Sequence, residues 1–308
     1  MKHTPVGRFA PTPSGRMHLG NVFAALVAWL SIRSQNGHFI LRMEDLDTLR
    51  TSAEFAQILR EDLLWLGLDW DEETPAQSTR SQVYDRYFDL LAEKRLLYPC
   101  FCTRSQLHSV NAPHLSDGTY VYPGTCRDLT NAQKATFDRP PAWRVQVPDR
   151  EWVVNDLVQG LYKENLATDC GDFVVRRADG VYVYQLAVTV DDGEAGVTEV
   201  VRGQDLLSSA PRQMYLQELF SFSQPAYGHV PMLLAPDGRR LSKRDKDLDL
   251  GYLRAAMTPE ALIGTLAYSA GIIDREIPIS AQELAKEFSW DKLQGDAITM
   301  TKTLFCGK

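Results

Sequence analysis

The sequence has 308 residues, 44% hydrophobic and 24% charged, with no low-complexity tract and no short-period repeat, so it can form one large or two modest domains with their own cores, and disorder is excluded. A formal net charge of -7 argues against a protein that coats nucleic acid indiscriminately, because such binding rests on many phosphate contacts. The N-terminus MKHTPVGRFAPTPSG lacks an apolar signal region, no stretch approaches the roughly 18 apolar residues of a membrane span, and five cysteines fit a reducing compartment, so a cytoplasmic protein without a membrane partner is expected.

In chain order, residues 6–10 (VGRFA) predict a short strand, followed by the turn-rich PTPSG and a helix from His18 to Arg33. The β-prone run HFILRMED comes next, and from Ser52 to Leu66 the residues Phe55, Ile58, Leu59, Leu63 and Leu66 recur at helical spacing. Strand and helix alternate, as in a βαβ unit. From about Pro99 to Arg139 turn formers and cysteines dominate, and Arg144 to Tyr184 predicts short strands with loops, which reads as an insertion. The βα pattern resumes with VYQLAVTVDD, EVVRGQDL and a helix from Ser209 to Phe220. The expected organisation is α/β. One half of a Rossmann-like nucleotide-binding domain covers 1–98, an inserted subdomain 99–185, the second half 186–250, and a short helical region 251–308.

The segment RFAPTPSGRMHLGN carries the first chemical signal, because His18 and Gly20 open a helix after a Pro- and Gly-rich loop. Such a helix start offers free amides and a positive dipole end to phosphates. A histidine there can donate to charge developing on an α-phosphate, and Gly20 permits close approach of adenine or ribose. A His-x-Gly alone is equally an ordinary helix start. The whole string, however, resembles the first signature of class I aminoacyl-tRNA synthetases, written here HLGN where the family usually ends in histidine. LSKRD at Leu241 to Asp245, about 220 residues later, resembles the second, a mobile lysine loop. The resemblance implies that His18, Gly20, Asn21 and Lys243 bind ATP, with Mg2+, and that His18 and Lys243 are catalytic, Lys243 supplying positive charge as pyrophosphate departs. The run RRLSKRDK from Arg239 to Lys246 carries five basic residues and one acidic one, enough for a phosphate-facing patch.

Within that class the flanking motifs are similar to those of glutamyl-tRNA synthetases. A substrate with two carboxylates and an ammonium needs two cations and an anion. By the resemblance, Arg8 and Arg202 bind carboxylates, bidentately where geometry allows. Glu44 binds the ammonium, Tyr184 donates its hydroxyl, and Phe9, Ala10, Pro11 and Thr12 complete the L-glutamate site. The expected places of Arg8, Glu44, Tyr184 and Arg202 are strand ends. Which arginine reads the side chain is open. Glutaminyl-tRNA synthetases share the architecture, but Arg8 favours an anionic side chain over an amide.

Cys100, Cys102 and Cys126 offer three thiolates to a zinc ion, with the fourth ligand open among Tyr122, His108 and His114. CFC followed by YPGTC resembles the glutamyl-queuosine synthetases, whose fourth ligand is a tyrosine four residues before the last cysteine, which implies Tyr122. A closed site of this kind is structural, in an insertion with little core of its own. Cys170 and Cys306 have no ligand-type neighbours and read as incidental.

The resemblance runs from Val6 to about Leu250 and covers the catalytic part of a glutamyl-tRNA synthetase. The remaining 58 residues, with six basic and seven acidic side chains, are expected to hold no anticodon-binding domain. That matches shortened family members, which glutamylate the queuosine base of tRNA(Asp), and activation of glutamate by ATP without tRNA is expected of this chain. A monomer is expected. Three rival readings stand beside it: a truncated enzyme charging the 3′ end of tRNA(Glu), which shares every active-site residue, a silent paralogue of a different class that binds nucleotide or tRNA as a regulator, and another nucleotidyltransferase with a His-x-Gly-His motif. Intact Arg8, His18, Glu44, Arg202 and Lys243 argue against decay, and VRGQDL with the cysteine insertion argues against the last.

Overall fold

A computed structural model describes residues 4–103, 106, 121–239 and 249–300. In chain order it begins β1 (Val6–Phe9), α1 (Leu19–Ser34), β2 (His38–Arg42), α2 (Ala53–Trp65), β3 (Glu72–Thr74) and α3 (Ser81–Glu93). There follow β4 (Leu97–Cys100), β5 (Ala142–Val145), β6 (Glu151–Asp156), β7 (Gly160–Asn165) and β8 (Phe173–Arg176). The chain continues through α4 (Tyr184–Glu194), β9 (Glu199–Gly203), α5 (Ser209–Phe220) and β10 (Ala226–Val230), then α6 (Leu250–Ala256), α7 (Pro259–Ser269) and α8 (Ala281–Glu287).

Among the described residues the main sheet has seven strands in the order β3-β2-β1-β9-β10-β6-β7. Every pairing is parallel except the β6–β7 hairpin. The order reverses beside β1, so the carboxyl ends of β1, β2, β9 and β10 frame the crevice where open α/β sheets bind ligands. The β6–β7 hairpin lies within the stretch read as inserted, yet it extends this sheet, through the pairing of Tyr227 with Asp156. Strands β4, β5 and β8 form a separate antiparallel sheet.

Strand periodicity divides the core. On β9, Val201 packs into one apolar cluster with α1, α2 and the C-terminal helices, while Val200 packs into another with α4 and α5. Helix α1 is buried from Leu19 to Ile32 save at Gly20 and Asn21, as an all-round apolar helix must be. Gly7 permits its approach to β1, because a Cβ there would overlap the Ile32 side chain. The polar residues of the sheet carry the consequence. Arg8, Arg42 and Arg202 each follow a residue on the α1 side or alternate with one, and all three turn toward the face covered by α4.

One expected element is different. The βα pattern predicts a strand at VYQLAVTVDD, with Tyr184 at a strand end, but Tyr184 opens helix α4. A short apolar run is compatible with a buried strand or a buried helix, and here the apolar residues Leu186 to Val190 are buried on a helix packed against α5.

Candidate active site

The loop after β1 runs through half-buried Ala10, buried Pro11 and exposed Thr12 into α1. His18 is the N-cap of α1, and its Nδ1 accepts from the amides of Gly20 at 3.1 Å and Asn21 at 3.4 Å. The amides expected to be free for phosphate are therefore occupied at these two positions. An acceptor role at Nδ1 places the ring proton of the neutral imidazole on Nε2, which makes that nitrogen the donor. His18 also pairs with Asp249 in an isolated bridge, and Leu250 N donates to Met17 O at 3.0 Å. Fully buried Asp62 receives both Arg16 and Arg254, clamping the loop to α6. Lys243 lies outside the described residues; Asp249 is six places after it in the sequence.

Behind the loop, α4 brings two adjacent carboxylates over the sheet. Arg8 Nε donates to both oxygens of Asp192, at 3.1 and 3.2 Å. Arg42 bridges Asp192 at 2.7 Å and Glu44 at 3.2 Å, while Asp191 receives Arg80, Gln77 and Tyr84. All of these groups except Arg80 are buried. Burial alone would raise Asp192, but Arg42 and Arg8 hold it below the usual carboxylate range. Burial pushes the Glu44 carboxyl up to about 7 against the pull of the same two arginines. Glu44 is 8% exposed, at the end of β2, with its amide donating to Pro11 O at 3.0 Å.

Arg202, at the end of β9, is held differently. Its Nη1 donates to Tyr184 Oη at 3.2 Å and Gln213 Oε1 at 2.7 Å, and its Nε donates to His229 Nε2 at 2.9 Å. Among the described residues, no carboxylate touches it. Nη2 is buried and has no hydrogen-bond partner among the described residues, as is also true of Gln213 Nε2. A buried, unsatisfied guanidinium nitrogen costs free energy until an acceptor arrives. Among the described residues the crevice thus holds a buried cation without a directly bonded anion, Arg202, and, at Glu44, a carboxyl poised to ionise.

Cys100, Cys102 and Cys126 form a second constellation, their Sγ atoms all within 4.8 Å of one another. Tyr122 Oη lies 3.5 Å from Cys100 Sγ and 3.8 Å from Cys102 Sγ, and accepts from Cys126 N at 2.9 Å. His108 and His114 lie outside the described residues, as does Cys306. Gly171, at φ +70°, lets the backbone of Tyr122 pack directly on it. Buried Asp172 anchors the surround through Tyr98, Arg127 and Val147 N. Burial would raise Cys100, but Arg144 and the Tyr122 hydroxyl bring it below the usual thiol range, whereas burial and neighbouring Cys100 push Cys102 up to about 12. Cys170 is elsewhere, accepting from Arg212 Nε at 3.0 Å.

Sequence reasoning singled out Arg8, Glu44, Tyr184 and Arg202, and the structure gathers them at one end of the sheet. It missed Arg42, Asp191, Asp192, Gln213, His229 and Asp156. The pair at 191 and 192 ending an apolar run was the available signal; the others are recognisable only after pairing across strands.

A parallel sheet with His18 capping the first helix and arginines at its carboxyl edge defines a class I synthetase catalytic domain. The family model described as "tRNA synthetases class I (E and Q), catalytic domain" matches residues 6–302, and the chain belongs to that family. The Glutamyl-Q tRNA(Asp) synthetase of Symbiobacterium thermophilum is 45% identical over 307 residues, spanning 95% of this chain and 94% of that one. That of Nitratidesulfovibrio vulgaris is 46% identical over 285 residues, 88% of each. The crystal structure of a glutamate tRNA ligase from Elizabethkingia meningosepticum in complex with its amino acid is similar with a TM-score of 0.84 at 29% identity, covering 98% of this chain and 68% of that chain.

Proposed function

We propose that this chain activates L-glutamate with ATP, without requiring tRNA, and transfers the glutamyl group to the queuosine base of tRNA(Asp). The observation that carries the substrate assignment is the buried Nη2 of Arg202, unpaired among the described residues and beside Tyr184. Arg202 takes one substrate carboxylate, Arg8 contributes positive potential beside it although Asp192 shares its charge, and Glu44 as carboxylate takes the ammonium. Phe9, Ala10, Pro11 and Thr12 form the wall of the site. The glutamate α-carboxylate attacks the α-phosphorus of ATP, and pyrophosphate leaves. His18 donates from Nε2 to the phosphoryl oxygen where charge develops, Gly20 and Asn21 border the nucleotide, and Lys243, with Mg2+, offsets the leaving charge.

Support for tRNA independence comes from preorganisation. Arg8, Glu44, Tyr184 and Arg202 are each held by hydrogen bonds within the chain, so the pocket does not need a bound tRNA to assemble. Support for the acceptor comes from the two relatives named Glutamyl-Q tRNA(Asp) synthetase at 45% and 46% identity, against 29% for the glutamate tRNA ligase.

Cys100, Cys102, Tyr122 and Cys126 would hold a zinc ion. Their present spacing, with Cys102 Sγ 3.6 Å from Cys126 Sγ, suits a tetrahedral ion bound at about 2.3 Å from sulfur. Its contribution is structural, tying the end of β4 to the loop before β5. The discriminating experiment incubates the protein with ATP and labelled glutamate in parallel with tRNA(Glu), with tRNA(Asp) carrying queuosine, and with tRNA(Asp) lacking it. Label fixed only on the queuosine-containing tRNA supports the reading, and label on the terminal adenosine of tRNA(Glu) overturns it.

A further inference from the structure

We propose that Asp156 and His229 form a positioning unit that fixes the guanidinium of Arg202 through a neutral acceptor and so leaves its charge available to the substrate. The inference rests on the reading that Arg202 binds a glutamate carboxylate. It starts from strand register. His229 on β10 is the direct register neighbour of Arg202 on β9, so both side chains rise on the same face. The β6–β7 hairpin, added beyond β10, then places Asp156 against the far side of the imidazole, with Nδ1 and Oδ2 2.5 Å apart. All three residues are buried.

The protons in this chain are determined. Asp156 Oδ1 accepts from the amides of Val158 at 3.0 Å, Gln159 at 2.9 Å and His229 at 3.1 Å, which fixes Oδ2 toward the ring. A carboxylate only accepts, so Nδ1 carries the proton and Nε2 presents its lone pair to Arg202 Nε. Burial lowers the imidazole's proton affinity and Arg202 lowers it further, against the pull of Asp156, so the ring stays neutral.

The arrangement differs in kind from that of the other two arginines in the crevice. Arg8 and Arg42 sit directly on carboxylates, which absorb their charge. Arg202 has an imidazole interposed, and the attraction of Asp156 is weakened by the added distance. Orientation is obtained without neutralisation, and Nη2 is left to meet the substrate.

The polarity of the relay gives the test. In Asp156→Asn, Oδ1 must still receive three amides, so the new NH2 faces Nδ1 and drives the ring proton to Nε2, opposite the Nε–H of Arg202. Two donors then confront each other and the guanidinium must turn away. The apparent KM for glutamate in ATP–pyrophosphate exchange should rise about tenfold or more, as for a buried donor left unsatisfied, with the KM for ATP unchanged. His229→Leu should behave alike, and His229→Gln, whose amide can both accept from Arg202 and donate to Asp156, should recover most of the affinity. Arg202→Ala serves as the reference. If Arg202→Ala loses glutamate affinity but Asp156→Asn and His229→Leu keep it, the relay is wrong and the function stands. If Arg202→Ala itself keeps wild-type affinity, the assigned carboxylate site falls, and the relay with it. A parallel rise in both KM values, or no recovery in His229→Gln, also overturns the proposal, since each marks general structural damage.

Discussion

Arg42 and Glu44, two residues apart at the end of β2, form a buried ion pair at 3.2 Å in which the arginine is shared with Asp192. Because Arg42 also serves Asp192 and, at 3.7 Å, Asp191, Glu44 is left with part of its burial cost uncompensated, and its carboxyl is pushed up to about 7. An acid placed to receive an ammonium must be ionised to do so. Glutamate affinity should therefore rise with pH, the apparent KM falling about tenfold between about pH 6 and about pH 8. Glu44→Gln should bind glutamate weakly and lose this pH dependence.

The same shift makes a stability statement of opposite sense. A carboxyl whose folded value is raised from 4.5 to about 7 binds its proton more tightly in the native state. Its stabilising contribution is present below about 4.5 and lost as pH rises through about 7. The stability of the wild type relative to Glu44→Gln should thus fall across that window, by on the order of 3 kcal/mol. Urea unfolding of both proteins at several pH values measures it; a constant difference would show that Glu44 does not titrate in this range.

Arg8 and Arg202 should separate in stability although both removals abolish glutamate activation. Arg8→Ala strips one of two cations from buried Asp192 and should cost about 3–5 kcal/mol of folding free energy. Among the described residues, Arg202→Ala leaves no carboxylate in direct contact unpaired, only the acceptors on His229, Gln213 and Tyr184, and should cost about 1–3 kcal/mol. Its activity loss should be the cleaner one, at least about 100-fold in kcat/KM for glutamate, because the substrate carboxylate then lies in a pocket without its cation. Equal stability losses would contradict the idea that Asp192 neutralises Arg8 alone of the pair.

The parts of this site that could be read from sequence are those whose chemistry is local. The strand, loop and helix of RFAPTPSGRMHLGN were legible because a turn, a cap and an apolar helix follow one another in the chain, and β1, α1 and α2 fall where the pattern puts them. The helix at Tyr184 was not, since an eight-residue apolar stretch carries no period that excludes a strand. Asp192 was missed because its partner Arg8 is 184 residues away, and His229 and Asp156 because only the register of β10 with β9 and β6 brings them to Arg202. The capping use of His18 Nδ1 was equally hidden. The sequence places the histidine at the helix start, but not which nitrogen the amides take.

The cysteine cluster should carry about one zinc per chain in protein purified without chelator. Tyr122→Phe removes the hydroxyl oxygen that stands between Cys100 and Cys102 and should speed zinc loss to a chelator. Replacement of His108 or His114 should leave the rate unchanged. Metal analysis showing none in fresh protein would remove zinc from the account, and a rate altered by either histidine would move the fourth ligand away from Tyr122.

Glutamate activation should not wait for tRNA. Each side chain assigned to the amino acid is already held by the chain's own bonds: Arg202 by His229, Gln213 and Tyr184, Glu44 by Arg42, and Arg8 by Asp192. Among the described residues these side chains are held without any ligand, so tRNA is not expected to be needed to form the glutamate pocket. Glutamate-dependent exchange of labelled pyrophosphate into ATP should proceed with no tRNA present. Lys243→Ala should abolish it, because the departing pyrophosphate loses its counter-ion, while the folding stability should stay near that of the wild type. Asp249 ties the chain just beyond this lysine to His18, the other group assigned to the phosphates, so His18→Ala should depress the same exchange. Exchange that appears only on addition of tRNA(Glu), with charging of that tRNA, would make the chain a conventional glutamate ligase and would leave the preformed pocket without its functional meaning.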